Sequence, residues 1–440
     1  MCSEDHVKKG KKVFCEENNP LERLWSASLC GSKCRKIMFL FLENFRMSYQ
    51  SVSTVPSGDV NTVTPTHAKK LTKFALVGIG LFFAAGLISS SSSSSSPPSS
   101  PSPNLESQAP VNICSNPSYS KTTLKLSHSQ SLEALFLEDK GEKKFEASDV
   151  TLVDDKFYAI ADNSWSLYEI DQQLPTNSDK NIQLGPPRLH GKEDSGFEGL
   201  VETSDPDVFY IMRESVLSNN GEYHAVLLQV RINDDRTDYN VERTCESEVT
   251  FDGDSKGFEG AAGLKGNDGQ LYILGLCEGN HCKEGDAGKD KGNGKVVIMQ
   301  INEEVSDEQK SLGFQCVLRT RRTMSVPESA FFQDYSALSI NENGDVAITS
   351  QEESQLWIGK LKLDDDLLFD VENSEFVENR GTVLDFPRDT NCEIIFCNIE
   401  GIHWINDELL VAVSDKMKSG GKQDFRCLEY DQSIHVFIRP

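Results

Sequence analysis

Phe258–Leu276 reads FEGAAGLKGNDGQLYILGL: an acidic opening, an apolar run, a polar Asn-Asp-Gly turn, and a second apolar run. Two apolar runs flanking such a turn are the signature of a β-hairpin. The pattern recurs. Ser148–Asp162 (SDVTLVDDKFYAIAD), Phe197–Glu214 (FEGLVETSDPDVFYIMRE), Tyr335–Gln351 (YSALSINENGDVAITSQ) and Ile399–Asp415 (IEGIHWINDELLVAVSD) have the same layout. Each is followed by a further β-rich run: SLYEID, AVLLQVRI, KVVIMQI, QLWIGKL and SIHVFIRP. A fourth strand follows in most units, such as FQCVLRT at Phe314.

Repeated units of four antiparallel strands predict an all-β fold, a five-bladed β-propeller over residues 121–440. The last unit reaches Pro440 after only its third strand, and TTLKLSH (Thr122–His128) precedes the first unit without a partner. The N-terminal strand is therefore expected to close the last blade, leaving no open edge. An unrelated β-sandwich with similar hairpins is the alternative.

In a propeller the innermost strands converge on the central axis. The residues opening those strands are Ser148 and Asp149, Glu198, Glu259, Ser336 and Glu400. Four carboxylates facing one another repel unless something pairs them. A hard cation with six to eight oxygen ligands resolves this, and Ca2+ tolerates irregular cages better than magnesium. Solvated channel carboxylates, or pairing with buried Lys or Arg, would be the blander outcome. The loops on the same face carry Arg213, Lys416 and Lys418, basic groups that would suit a phosphorylated small molecule or stand as ordinary surface charges.

The ordered set Ser148-Asp149, Glu198, Glu259, Ser336, Glu400 resembles that of the calcium-activated nucleotidase (apyrase) family, with SDVTLVDDKFYAIAD, YSALSI and IEGI as surroundings. The resemblance implies a five-bladed propeller with one axial calcium held by these residues. The Phe-Glu-Gly openings are also similar to those of esterase-like phytase propellers, and the chain looks like an uncharacterised plant and algal propeller group. It departs from the nucleotidases at two places. Their Asp-Asp-Arg turn is here Ala161-Asp162-Asn163-Ser164, without the arginine, and their Trp after the second-blade glutamate is Gly199. The metal site carries over better than nucleotide specificity. A metal-dependent hydrolase of phosphoanhydrides or phosphoesters is one expectation. A non-catalytic, calcium-stabilised propeller binding a protein or glycan partner is the other.

Charge is unevenly placed. The net charge is -25, yet residues 1–73 carry 12 Lys and Arg against 7 Asp and Glu. The propeller region is thus strongly acidic and would repel a phosphate backbone, so nucleic acid is not an expected partner. Between the two lies Phe74–Ile88, FALVGIGLFFAAGLI, uncharged and preceded by Lys69, Lys70 and Lys73. By the positive-inside rule residues 71–90 read as a transmembrane signal anchor. Residues 1–70 then form a disordered cytosolic tail, and 91–120 a Ser/Pro-rich linker. The propeller would be lumenal or extracellular, as a single-pass type II protein, or would face the interior of an organelle. A cleaved signal peptide is the rival reading, and Met47 an alternative start. The oligomeric state leaves no trace in the sequence.

Eight of the 12 Cys follow the apolar segment. An even number beyond a membrane fits disulfides, and the short-range pairs Cys277–Cys282 and Cys392–Cys397 are the expected ones. Cys277 and Cys282 flank His281, but with no second pair nearby zinc is the weaker option. Gly253–Gly257 matches a nucleophile-elbow pattern without the helix that must follow it. The Gly/Lys-rich stretch Gly285–Lys295 does not match a phosphate-binding loop and reads as solvated.

Overall fold

A computed structural model describes Cys114 and residues 122–137, 144–186, 194–218, 220–253, 256–378, 380–417 and 425–440. The expected tail, anchor and most of the linker lie outside these residues. Among the described residues no helix is long and apolar enough to cross a membrane.

The chain is all-β, with only short helical turns between strands. The first hairpin is β2 (Ala147–Val153) and β3 (Lys156–Ala161), reversed at Asp154 with φ 54°. With β4 (Ser164–Asp171) and β5 (Ile182–Leu184) it forms a four-stranded antiparallel sheet. The next run is β6 (Phe197–Glu202), β7 (Val208–Leu217), β8 (Tyr223–Ile232) and β9 (Tyr239–Phe251). After it come β10 (Phe258–Lys265), β11 (Leu271–Cys277), β12 (Lys295–Asn302) and β13 (Cys316–Ser325). These two runs share one eight-stranded sheet because β9 and β13 pair in parallel, with Cys245 opposite Cys316 and bonded to it. A further four-stranded sheet holds β14 (Ala337–Ile340), β15 (Asp345–Ser350), β16 (Gln355–Lys360) and β17 (Thr382–Asp385).

The last sheet contains β18 (Ile399–Trp404), β19 (Leu409–Ser414) and β20 (Ser433–Ile438), and its fourth strand is β1 (Lys125–Ser131). The N-terminal strand therefore pairs with the C-terminal one, antiparallel, three residues later than expected from the sequence. Each four-strand run packs an apolar layer against the next. Phe197 and Leu200 meet Ile160 and Leu167, for instance. The series returns to its start where Val411, Val413 and Ile434 pack on Val150 and Phe157. Layers that close on themselves define a propeller-like ring, in which each run buries one face against each neighbour.

The cysteines correct one expectation. Cys277–Cys282 is bonded, but Cys392 pairs with Cys114 and Cys397 with Cys427. The reason is local backbone shape. At Asn280–Cys282 the chain folds back, with positive φ at His281 and Cys282. Between Cys392 and Cys397 the chain instead bridges Ile394 to Arg388, and Cys397 comes to lie against Cys427.

Candidate metal centre at the mouth of the axis

The innermost strands β2, β6, β10, β14 and β18 meet around the axis, and each junction has its own device. Ser148 Oγ donates to the carbonyl of Phe197, and Ser336 Oγ to that of Ile399 at 2.8 Å. At the other junctions stands the glycine of a Glu-Gly pair. A Cβ on Gly260 would lie 2.6 Å from the backbone nitrogen of Leu338. A Cβ on Gly401 would lie 2.6 Å from the Cα of Asp149. Real Cβ atoms do not tolerate such distances, so the strands meet this closely because no side chain intervenes.

This division sorts the six residues that the sequence grouped as ligands. The Ser148 and Ser336 hydroxyls are engaged in tying neighbouring strands. Asp149 is buried in the wall, where its two carboxylate oxygens accept from the backbone N–H of Val150 at 2.8 Å and of Leu200 at 2.7 Å. Desolvation pushes its pKa well above the ordinary value, against the pull of those two donors. Glu198, Glu259 and Glu400 instead line a cavity of about 550 Å³ at one mouth of the axis.

Glu198 is the unusual member. It is 6% exposed, and among the described residues its carboxylate has no hydrogen-bond or ion-pair partner. Burial, followed by the charges of Glu259, Asp162, Glu214 and Glu400, lifts its pKa well above the ordinary carboxylate value. Asp162, at the end of β3, and Glu214, within β7, were not grouped as ligands by the sequence pattern. Yet one carboxylate oxygen from each of Asp162, Glu198 and Glu214 lies within 4.8 Å of the other two. The available signal was positional, since Asp162 closes the first hairpin and Glu214 the second, on the face where the inner strands begin.

The basic residues divide as well. Lys416 lines the cavity, as do Lys144 and Lys256, which are ion-paired with Glu146 and Glu278. Arg213 is not among the lining residues. Its guanidinium lies over the Trp165 ring, 4.7 Å from the centroid, and its Nε donates to the Ser195 carbonyl at 2.7 Å. Lys418 lies outside the described residues.

The opposite end of the axis is narrow and its polar groups are matched. Thr151 Oγ1 donates to Glu202 at 2.8 Å and stands 3.3 Å from His403 Nδ1. Desolvation lowers the His403 pKa, with Glu202 opposing it.

No protein-family model matches the chain, and no curated protein matches it. Solved structures do. A PQQ-bound aldose sugar dehydrogenase from Streptomyces coelicolor is 11% identical, with TM-score 0.38, over 71% of this chain and 98% of that one. A glutaminyl cyclase from Myxococcus xanthus is 11% identical, with TM-score 0.38, over 72% and 96%. The apo form of a soluble aldose sugar dehydrogenase from Escherichia coli is 10% identical, with TM-score 0.36, over 71% and 98%. At these scores the likenesses carry no argument. The propeller-like architecture rests on the strand pairing and the closed series of apolar layers.

Proposed function

We propose that residues 121–440 form a five-bladed, calcium-binding β-propeller that hydrolyses phosphoanhydrides or phosphoesters with the help of the metal. The observation that carries this reading is Glu198, a buried carboxylate without a partner among the described residues, beside Glu259 and Glu400 in an open cavity. The donor set consists of carboxylate oxygens, which suits a hard cation and an irregular coordination shell. Glu198, Glu259 and Glu400 would hold the ion on the axis. A bound divalent cation polarises a phosphoryl oxygen and lowers the pKa of a bound water. Lys416 would neutralise charge on the substrate, and a cavity carboxylate would accept the proton of the attacking water.

The second reading is a non-catalytic propeller stabilised by calcium. It draws support from Arg213, held on Trp165, and from Lys144 and Lys256, already paired with glutamates. Both readings place the propeller outside the cytosol behind an anchor at residues 71–90, consistent with four disulfides.

Thermal melting of the full chain in detergent, in chelator and in millimolar calcium, tests the metal. Ligand binding at a hundredfold excess over Kd adds about 2.7 kcal/mol, so the midpoint should rise by several degrees. Glu259→Gln or Glu400→Gln should lose much of that rise, and an unshifted wild type would remove calcium from the site. Assays with nucleoside diphosphates, phytate and generic phosphoesters then separate the two readings. Turnover that requires calcium establishes the first, and its absence on every substrate leaves the second.

A further inference from the structure

We infer that Asp162, Glu198 and Glu214 hold a second divalent cation beside the axial one, with Glu198 shared between them. The inference rests on the axial reading above for the sharing, but its own ligands are different.

Two oxygens bound to one calcium at about 2.4 Å each cannot be more than about 4.8 Å apart. The carboxylate oxygens of Asp162, Glu198 and Glu214 meet that limit in every pair. Glu198 is more than nine-tenths buried and without a hydrogen-bond or ion-pair partner among the described residues. A buried charge in that state is costly unless it neutralises or coordinates a metal.

The backbone holds the three residues in place before any ion arrives. The Asp162 carbonyl accepts from the N–H of Ser195 at 2.8 Å and of Gly196 at 2.9 Å. The Gly196 carbonyl accepts from the Glu214 N–H at 2.7 Å. Gly196 has φ +62°, and a Cβ there would press on the Glu214 side chain at 3.2 Å. The segment leading into Glu198 is thus pinned on one side by Asp162 and on the other by Glu214. Such preorganisation keeps ligand placement from being paid for at binding.

Isothermal titration of calcium into the chelator-stripped full chain in detergent tests this, with melting in chelator as the control for folding. Wild type should bind two equivalents. Asp162→Asn combined with Glu214→Gln should bind one, and so should Glu259→Gln combined with Glu400→Gln. If the first double variant misfolds, Glu214→Gln alone should weaken one of the two equivalents at least tenfold. Loss of an equivalent in the first double variant but not the second would overturn the axial ion and leave the Asp162 site standing. Two undiminished equivalents in the first double variant, or a single wild-type equivalent that survives in it, would overturn the Asp162 site. No binding at all would overturn both.

Discussion

At the seam where β1 meets β20, polar groups find partners. His435 is fully buried, 2.8 Å from Ser129 Oγ through Nδ1 and 3.1 Å from Ser414 Oγ through Nε2. Ser414 spends its own proton on the Tyr430 carbonyl. The imidazole therefore donates from Nε2 and accepts at Nδ1, in its neutral form. Backbone bonds join Leu124 and Thr122 to Asp385, and Cys114 is bonded to Cys392. At the mouth of the axis the same chain leaves Glu198 buried against four other acids with no partner among the described residues. A satisfied buried network rigidifies, whereas an unsatisfied one is costly and persists where something else completes it. The seam holds the ring shut, whereas the mouth, on the reading proposed above, takes an ion to complete it.

Opening the seam should have the largest effect. Cys114 and Cys392 are 278 residues apart, so their bond constrains nearly the whole domain in the unfolded state. Replacing both by Ser should cost about 2–5 kcal/mol, read as a fall in the urea midpoint. An unchanged midpoint would mean that β1 pairing closes the ring unaided.

Acid should act on the seam next. Burial lowers the His435 pKa to about 3. As pH falls below about 6.5 the unfolded chain takes up a proton that the native imidazole refuses, so stability declines. From pH 7 to pH 5 the loss from this group is about 2 kcal/mol. Urea midpoints across that range should show it, and His435→Gln should flatten the profile. A profile no steeper in wild type than in that variant would place the imidazole in contact with water.

Ser129→Ala leaves His435 Nδ1 without its donor and should cost about 1–2 kcal/mol. The smallest effect has the opposite sign. In chelator, Glu198→Gln relieves repulsion at the mouth and should raise the melting midpoint. Destabilisation there by thermal melting would show that Glu198 is a structural partner like Ser129, and the contrast between the two regions would collapse.

Much of this contrast was legible in the residues. The hairpin pattern placed the strands, and Thr122–His128, unpaired within any unit, was the expected closing strand, a place that Lys125–Ser131 takes. The Glu-Gly repeats marked the inner strands. What the pattern did not separate was the role of each axial residue. Ser148 and Ser336 donate their hydroxyl protons to carbonyls of the next strand, and Asp149 accepts from Val150 in its own strand and from Leu200 in the next.

By itself, then, the sequence determined the β-repeat, the closing strand and the convergence of acids at one mouth, because period, turn residues and strand count are local properties that neighbours along the chain enforce. Only the tertiary structure decided which cysteines bond, which axial side chains tie one strand to the next, and that Asp162 and Glu214 stand beside Glu198. Those outcomes depend on how residues tens to hundreds of positions apart pack together. No periodicity records whether a serine will meet a carbonyl of the next strand or whether Cys397 will meet Cys427 rather than Cys392.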